Sequence, residues 1–217
     1  MSSSNLPAAS SEGIANFFRT TTNRNLLVTC GGTRPCSEIK PTPEQLDDWT
    51  RRCQALGAIG TPNASDAILT VVTLGIQFPG LKVESSAVIG AKYNENGSGR
   101  FPSYEFVLLD TQQIVSGLPP AVWIFNKLTG GKGDGGNFDS LTTVSARENK
   151  ENDAIVFSAD ALLSIDVTFP KLLLKILPGD KETIEKQGGK SVLKALDRDV
   201  TKSILAFEKA FLENMKK

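Results

Sequence analysis

The chain contains no histidine. That removes the commonest general base, proton shuttle and neutral metal ligand together. Ser-His-Asp and Cys-His mechanisms are excluded, as is any zinc site built on imidazole. Cysteine is scarce: Cys30, Cys36 and Cys53 make three. An odd number argues against a disulfide framework and fits a reducing compartment. The Cys30–Cys36 spacing is not that of a metal site, so all three are expected to be structural thiols. No run of about 18 apolar residues is present, so no transmembrane helix is expected. The first residues lack the apolar stretch of a secretory signal. Neither sign of charge is in excess, with Lys+Arg and Asp+Glu both 24. That argues against a nucleic-acid partner and gives no general attraction to anionic lipid. No cofactor, no metal and no catalytic residue is expected.

What is present is ordinary for a globular protein: 217 residues, 40% hydrophobic and 22% charged. Residues 1–24 are expected to be a flexible or partly helical extension, and residues 25–217 the folded domain. The start, Met1 to Ser11, is rich in Ser and Ala. Glu12 is the only acidic residue before Glu38, against Arg19, Arg24 and Arg34. This is either a trace of organelle targeting or a plain tail.

Along the chain, Ser10 or Ser11 is placed to cap a short helix through Phe17 and Phe18. Asn25 to Cys30 reads as a first strand. Thr42 caps a second helix with Pro43 at its first position, running through Trp49 and Cys53 to a stop at Gly57. From Ala67 the pattern changes to short strands. These are Ile68–Phe78, Val83–Tyr93, Tyr104–Leu109, Ala121–Leu128, Leu141–Arg147 and Ile155–Phe169. Asn94–Gly99 reads as a hairpin loop and Gly130–Gly136 as a flexible one. Lys132 is followed by Gly133 rather than Ser or Thr, and no helix follows, so the glycines do not make a phosphate loop. The strand carboxylates Glu84, Glu105, Asp110, Asp160 and Asp166 are expected to face solvent.

After Gly188-Gly189 a long helix is expected. Leu193, Leu196, Val200, Ile204, Phe207, Phe211 and Met215 recur every three or four residues and form one stripe. Lys190, Lys194, Arg198, Lys202, Lys209, Asp197, Asp199 and Glu208 belong to a solvated face. The fold class is therefore α+β, a helix-grip arrangement. A curved antiparallel sheet of about six to seven strands wraps a long C-terminal helix. The gap between sheet and helix could hold an apolar ligand. Tyr93, Tyr104 and Trp123, with Phe207 and Phe211 from the helix, are the cavity candidates. Leu172, Leu173, Leu174 and Ile176 crowd a connector between Pro170 and Pro178 and are candidates for an interaction lip.

Four stretches resemble a known family: Asp160-Ala-Leu-Leu-Ser-Ile-Asp-Val-Thr-Phe-Pro170, Leu172–Pro178, Ile184–Gly188 with Leu193–Leu196, and Phe78-Pro-Gly-Leu-Lys-Val83. They are similar to the START-like (SRPBCC) proteins of cyanobacteria and plastids grouped as a family of unknown function. The resemblance covers about Ala67 to Leu212. It implies the helix-grip fold and a plastid setting, in the chloroplast stroma or at the thylakoid surface, and brings no catalytic residues. Two functions follow as expectations. One is a non-enzymatic protein binding a hydrophobic small molecule, a lipid or pigment. The other is an accessory or assembly subunit on a photosynthetic membrane protein complex, its cavity filled by its own side chains.

Overall fold

A computed structural model describes residues 2, 5–7, 9–72, 76–78, 81–97, 101–117, 119, 122–123, 136–151, 154–167 and 181–216. Helix α1 spans Ser11–Arg19. Ser10 caps it by accepting from the Gly13 N–H at 3.0 Å. Helix α2, Thr21–Val28, follows after one residue. Strand β1 is Cys36–Ile39, and helix α3 is Pro43–Leu56. The start of α3 is a reciprocal capping box between Thr42 and Gln45, and its stop is Gly57 in the left-handed region. The strands then run β2 Ala67–Val72, β3 Ile76–Phe78, β4 Leu81–Asn94, β5 Ser103–Gly117, β6 Gly136–Asn149 and β7 Ala154–Val167. Helix α4, Lys181–Asn214, closes the chain.

The sheet is antiparallel throughout, in the order β1-β2-β4-β5-β6-β7, with β3 paired to the far end of β4. The class is thus α+β, a sheet with six strands in a row and a C-terminal helix. Two long hairpins dominate. β4–β5 pairs from Leu81–Gly117 to Asn94–Ser103, and β6–β7 from Gly136–Val167 to Asn149–Ala154. Among the described residues they are joined to each other between Ser103–Val107 and Leu141–Ser145.

Both faces of this sheet are covered. On one, Leu69, Ala91, Tyr104, Phe106, Val144, Ala146 and Phe157 meet α1 and the C-terminal half of α4. On the other, Ile68, Val107, Leu109 and Leu141 meet Trp49 and Cys53 of α3. Trp49 lies flat on Gly90 of β4, where any Cβ would fall inside the indole ring. Gly90→Ala must therefore displace Trp49, and a loss of about 1–3 kcal/mol is expected from overpacking. Urea melts would check this: an unchanged midpoint would show that α3 can lift off at no cost.

Several elements depart from the sequence expectations. Asn25–Cys30 is not a strand. Leu27 and Val28 pack, within and beside α2, against the main core, and this tertiary burial overrides the local β preference of Leu-Leu-Val. Strand β1 falls instead at Cys36–Ile39 and pairs with β2. The run Ile68–Phe78 divides into β2 and β3. Val122 and Trp123 are helical rather than extended. The rest of Ala121–Leu128, Gly130–Gly135 and the end of the last strand at Pro170 lie outside the described residues.

Helix α4 begins at Lys181 and carries Gly188 and Gly189 inside it, where two glycines cost only about 1 kcal/mol each. Its stripe is buried only in part: Ile204, Phe207 and Phe211 are buried, Val200 and Leu196 half-buried, and Leu193 is 64% exposed. Glu208, expected in solvent, is buried. Asp199 is not simply solvated either, because Arg34 and Arg198 both donate to it.

The Arg34–Asp199 pair clamps the turn after α2 onto α4. That turn needs Cys30, Gly31 and Gly32 at positive φ, and a Cβ on Gly31 would stand 3.0 Å from Ala206 Cβ. Partial burial pushes the Asp199 carboxyl up. The hydrogen bonds from Arg34 and Arg198 outweigh it and hold the group below its ordinary value of 3.8. A lowered acid binds its proton more weakly folded than unfolded. The clamp is therefore fully present above pH 3.8 and lost as pH falls through the folded value. Asp199→Asn is expected to cost about 1–2 kcal/mol at pH 7 and to make the acid limb shallower. Parallel acid limbs in the two proteins would refute the clamp.

Candidate ligand-binding site

Phe17 and Phe18 fill the space expected for a ligand. The Phe17 ring stacks on Phe157 of β7 at 6.1 Å and meets Phe207 and Phe211 of α4 edge-on at 4.8 and 5.2 Å. Phe18 stacks on Tyr104 at 5.5 Å and meets Phe207 edge-on at 5.2 Å. Such geometries match the quadrupoles of the rings. Phe207 and Phe211 thus pack against the rings of α1. α1 sits in the core, and α2 continues across residue 24. The N-terminal segment also pairs with β7 through Leu6 and Ile155, whose N–H groups donate to each other's carbonyls at 2.9 and 3.0 Å.

A cavity of about 300 Å³ lies beside this aromatic cluster, at the corner where α1 gives way to α2. Tyr93 and Tyr104 line it, so two of the five cavity candidates come together there. Trp123 is not among the lining residues and is 61% exposed. The lip candidates Leu172, Leu173, Leu174 and Ile176 lie outside the described residues.

The cavity is polar. Arg24 on α2, itself buried, is ion-paired to Glu38 of β1. Arg19, the last residue of α1, stands half-exposed at the mouth and pairs with Glu95. Asp66 projects from the loop before β2. Its Oδ2 accepts from the Asn63 N–H at 2.8 Å and its Oδ1 from the Tyr93 N–H at 3.4 Å. Burial outweighs these bonds and raises the Asp66 carboxyl above its ordinary value.

Tyr104 Oη donates to the Phe18 carbonyl, and its acidity is strongly suppressed by burial. Tyr93 Oη is buried beside Arg19 but makes no well-formed hydrogen bond among the described residues. Thr20 precedes α2 without capping it, because its hydroxyl donates back to the Asn16 carbonyl at 3.1 Å. Thr21, at the head of α2, also faces the cavity.

A second group of buried charges lies on the α3 face. Lys92 and Glu105 are cross-strand partners on β4 and β5 and pair at 2.6 Å, with side chains 3% and 2% exposed. Glu105 accepts from the Ile59 N–H at 2.7 Å and from Asn94 Nδ2 at 3.1 Å. Lys92 donates to the Ile59 and Gly60 carbonyls. The pair therefore holds the α3–β2 loop onto the sheet, and its donors and acceptors are spent on that loop. Glu105 corrects the expectation of solvent-facing strand carboxylates. Asp110 and Asp160 are exposed as expected. The side chains of Glu84 and Asp166 are outside the described set.

Cys30, Cys36 and Cys53 are free thiols. Burial pushes the Cys36 and Cys53 thiols up, away from the reactive thiolate. Among the described residues no group of three His, Cys, Asp or Glu could hold a metal, and no helix is long and apolar enough to cross a membrane. Comparison with protein-family models, curated proteins and solved structures finds no match.

Proposed function

We propose that the chain is a non-enzymatic interaction protein, an accessory or assembly subunit of a photosynthetic membrane complex in the plastid. It is built on a helix-grip scaffold whose interior is closed by its own side chains. The observation that carries this is the ring cluster of Phe17, Phe18, Phe157, Phe207 and Phe211, which occupies the space between sheet and C-terminal helix. A carrier would need that space for its ligand. The exposed leucines of α4 supply a docking surface instead. Leu193 and Leu205 are 64% and 57% exposed, and Leu212 and Met215 lie further along the same helix. Apolar side chains gathered on one element are a contact signature. The photosynthetic setting rests on the sequence resemblance alone.

One observation favours the alternative, a binder of a lipid or pigment. Among the described residues the two long hairpins are not paired with each other beyond Val107 and Leu141, and an apolar molecule could enter between them. A native gel of membranes solubilised from the source cells, probed for this chain, separates the two. Comigration with a large complex, lost in Leu205→Glu, supports docking. A free chain of 23.3 kDa carrying one apolar molecule per copy in native mass spectrometry would overturn it.

A further inference from the structure

The polar cavity is chemically unlike the rest of the interior. It brings two guanidinium groups, Arg19 and Arg24, and two carboxylates, Glu38 and Asp66, to the walls of one space of about 300 Å³. That is the lower end of the range for small-molecule sites. Arg24 and Asp66 are each about nine-tenths buried, so their charges are not simply solvated surface groups. Tyr93 Oη is buried there beside Arg19, without a well-formed hydrogen bond among the described residues. A buried hydroxyl without a partner costs free energy, so it calls for an explanation.

We infer that this cavity binds a small zwitterion carrying one carboxylate and one ammonium, a free α-amino acid. A simple anion would have to compete for Arg24 with Glu38, whose side chain is 43% exposed, and would bring its charge into the space that Asp66 also lines. A simple cation would have to take Glu38 from Arg24 and leave that guanidinium, 11% exposed, without its counter-charge. A zwitterion replaces both partners at once. Its carboxylate sits between Arg24 and Arg19, in the two-pronged geometry that guanidinium favours, and accepts from Tyr93 Oη. Its ammonium faces Glu38 and Asp66. The two added charges sum to zero, and the buried Arg24 keeps a counter-charge, while the Glu95 that Arg19 gives up is solvent-exposed. Thr21, Asn63 and Ser65 supply further polar groups to the walls.

The test uses the full chain and thermal unfolding with glycine, L-alanine and L-serine against acetate, methylammonium and phosphate at equal ionic strength. At a hundred-fold excess over Kd the amino acids are expected to raise Tm by about 5–10 °C, and the three simple ions to raise it by less than about 1 °C. Calorimetric titration of Tyr93→Phe completes it. The hydroxyl removed makes no well-formed hydrogen bond among the described residues, so the variant is expected to fold normally and to bind about tenfold or more weakly, because a hydrogen bond to a charged group is lost. Equal stabilisation by acetate or phosphate would overturn the assignment in favour of a plain anion site. No shift with any probe at 10 mM (about the weakest affinity a metabolite site would show), or unaltered binding by Tyr93→Phe, would overturn the site itself.

Discussion

Lys92→Met is expected to destabilise the fold by about 3–5 kcal/mol, the cost of leaving a buried carboxylate without its counter-charge. Glu105 would remain 2% exposed, between the sheet and α3, with only the Ile59 N–H and Asn94 as partners. The Ile59 and Gly60 carbonyls would lose their donor in the same step. The loop from Gly57 to Asp66 should then come away from the sheet, opening the surroundings of Cys53, which lies near Lys92, Glu105 and Asp66. Urea unfolding gives the loss of stability, and the rate at which a thiol reagent reaches Cys53 gives the local opening. Lys92→Met with Glu105→Leu should recover most of the loss, because a matched apolar pair removes both desolvation penalties. A single variant as stable as the parent would show that water reaches Glu105. A double variant no better than the single would show that the charges are needed for the loop's backbone bonds and not for each other.

The fold was legible wherever a local rule acted alone. Thr42, Pro43 and Gly57 mark the ends of α3 because capping and left-handed geometry need only neighbouring residues. Ser10 marks α1 for the same reason. The hairpin at Asn94 follows from turn chemistry. What failed depended on residues distant in sequence. Leu26-Leu27-Val28 prefers a strand in isolation, and its burial against the main core overrides that preference.

The second covered face of the sheet left one signal, the stripe Leu46, Trp49, Cys53 and Leu56 on α3, which needs an apolar partner. That partner is the strand face on which Glu105 reads as solvated. The cavity was half legible. Tyr93 and Tyr104 were singled out for their polar ends, and they do line it. Arg19, Arg24, Glu38 and Asp66 gave no pattern, because four separate elements bring them together.

Phe17→Ala should cost about 3–5 kcal/mol, although the residue lies in the stretch expected to be a flexible or partly helical extension. The ring is 1% exposed. Its removal leaves a void bounded by Phe18, Phe157, Phe207 and Phe211, four rings held by three different elements. Such a site collapses poorly, because closing it would need α4 and β7 to approach together. The void would be apolar and dry, and that gives the variant a second use. If the interior of this scaffold is suited to an apolar guest, with Phe17 standing where the guest would be, benzene or a small aromatic should stabilise Phe17→Ala and leave the parent unchanged. Such a rise in Tm would mean that α1 acts as a built-in occupant and that the protein has exchanged carrying for a fixed core. Loss of stability below about 1 kcal/mol would place Phe17 outside the cooperative core. The closed interior would then no longer support the docking function.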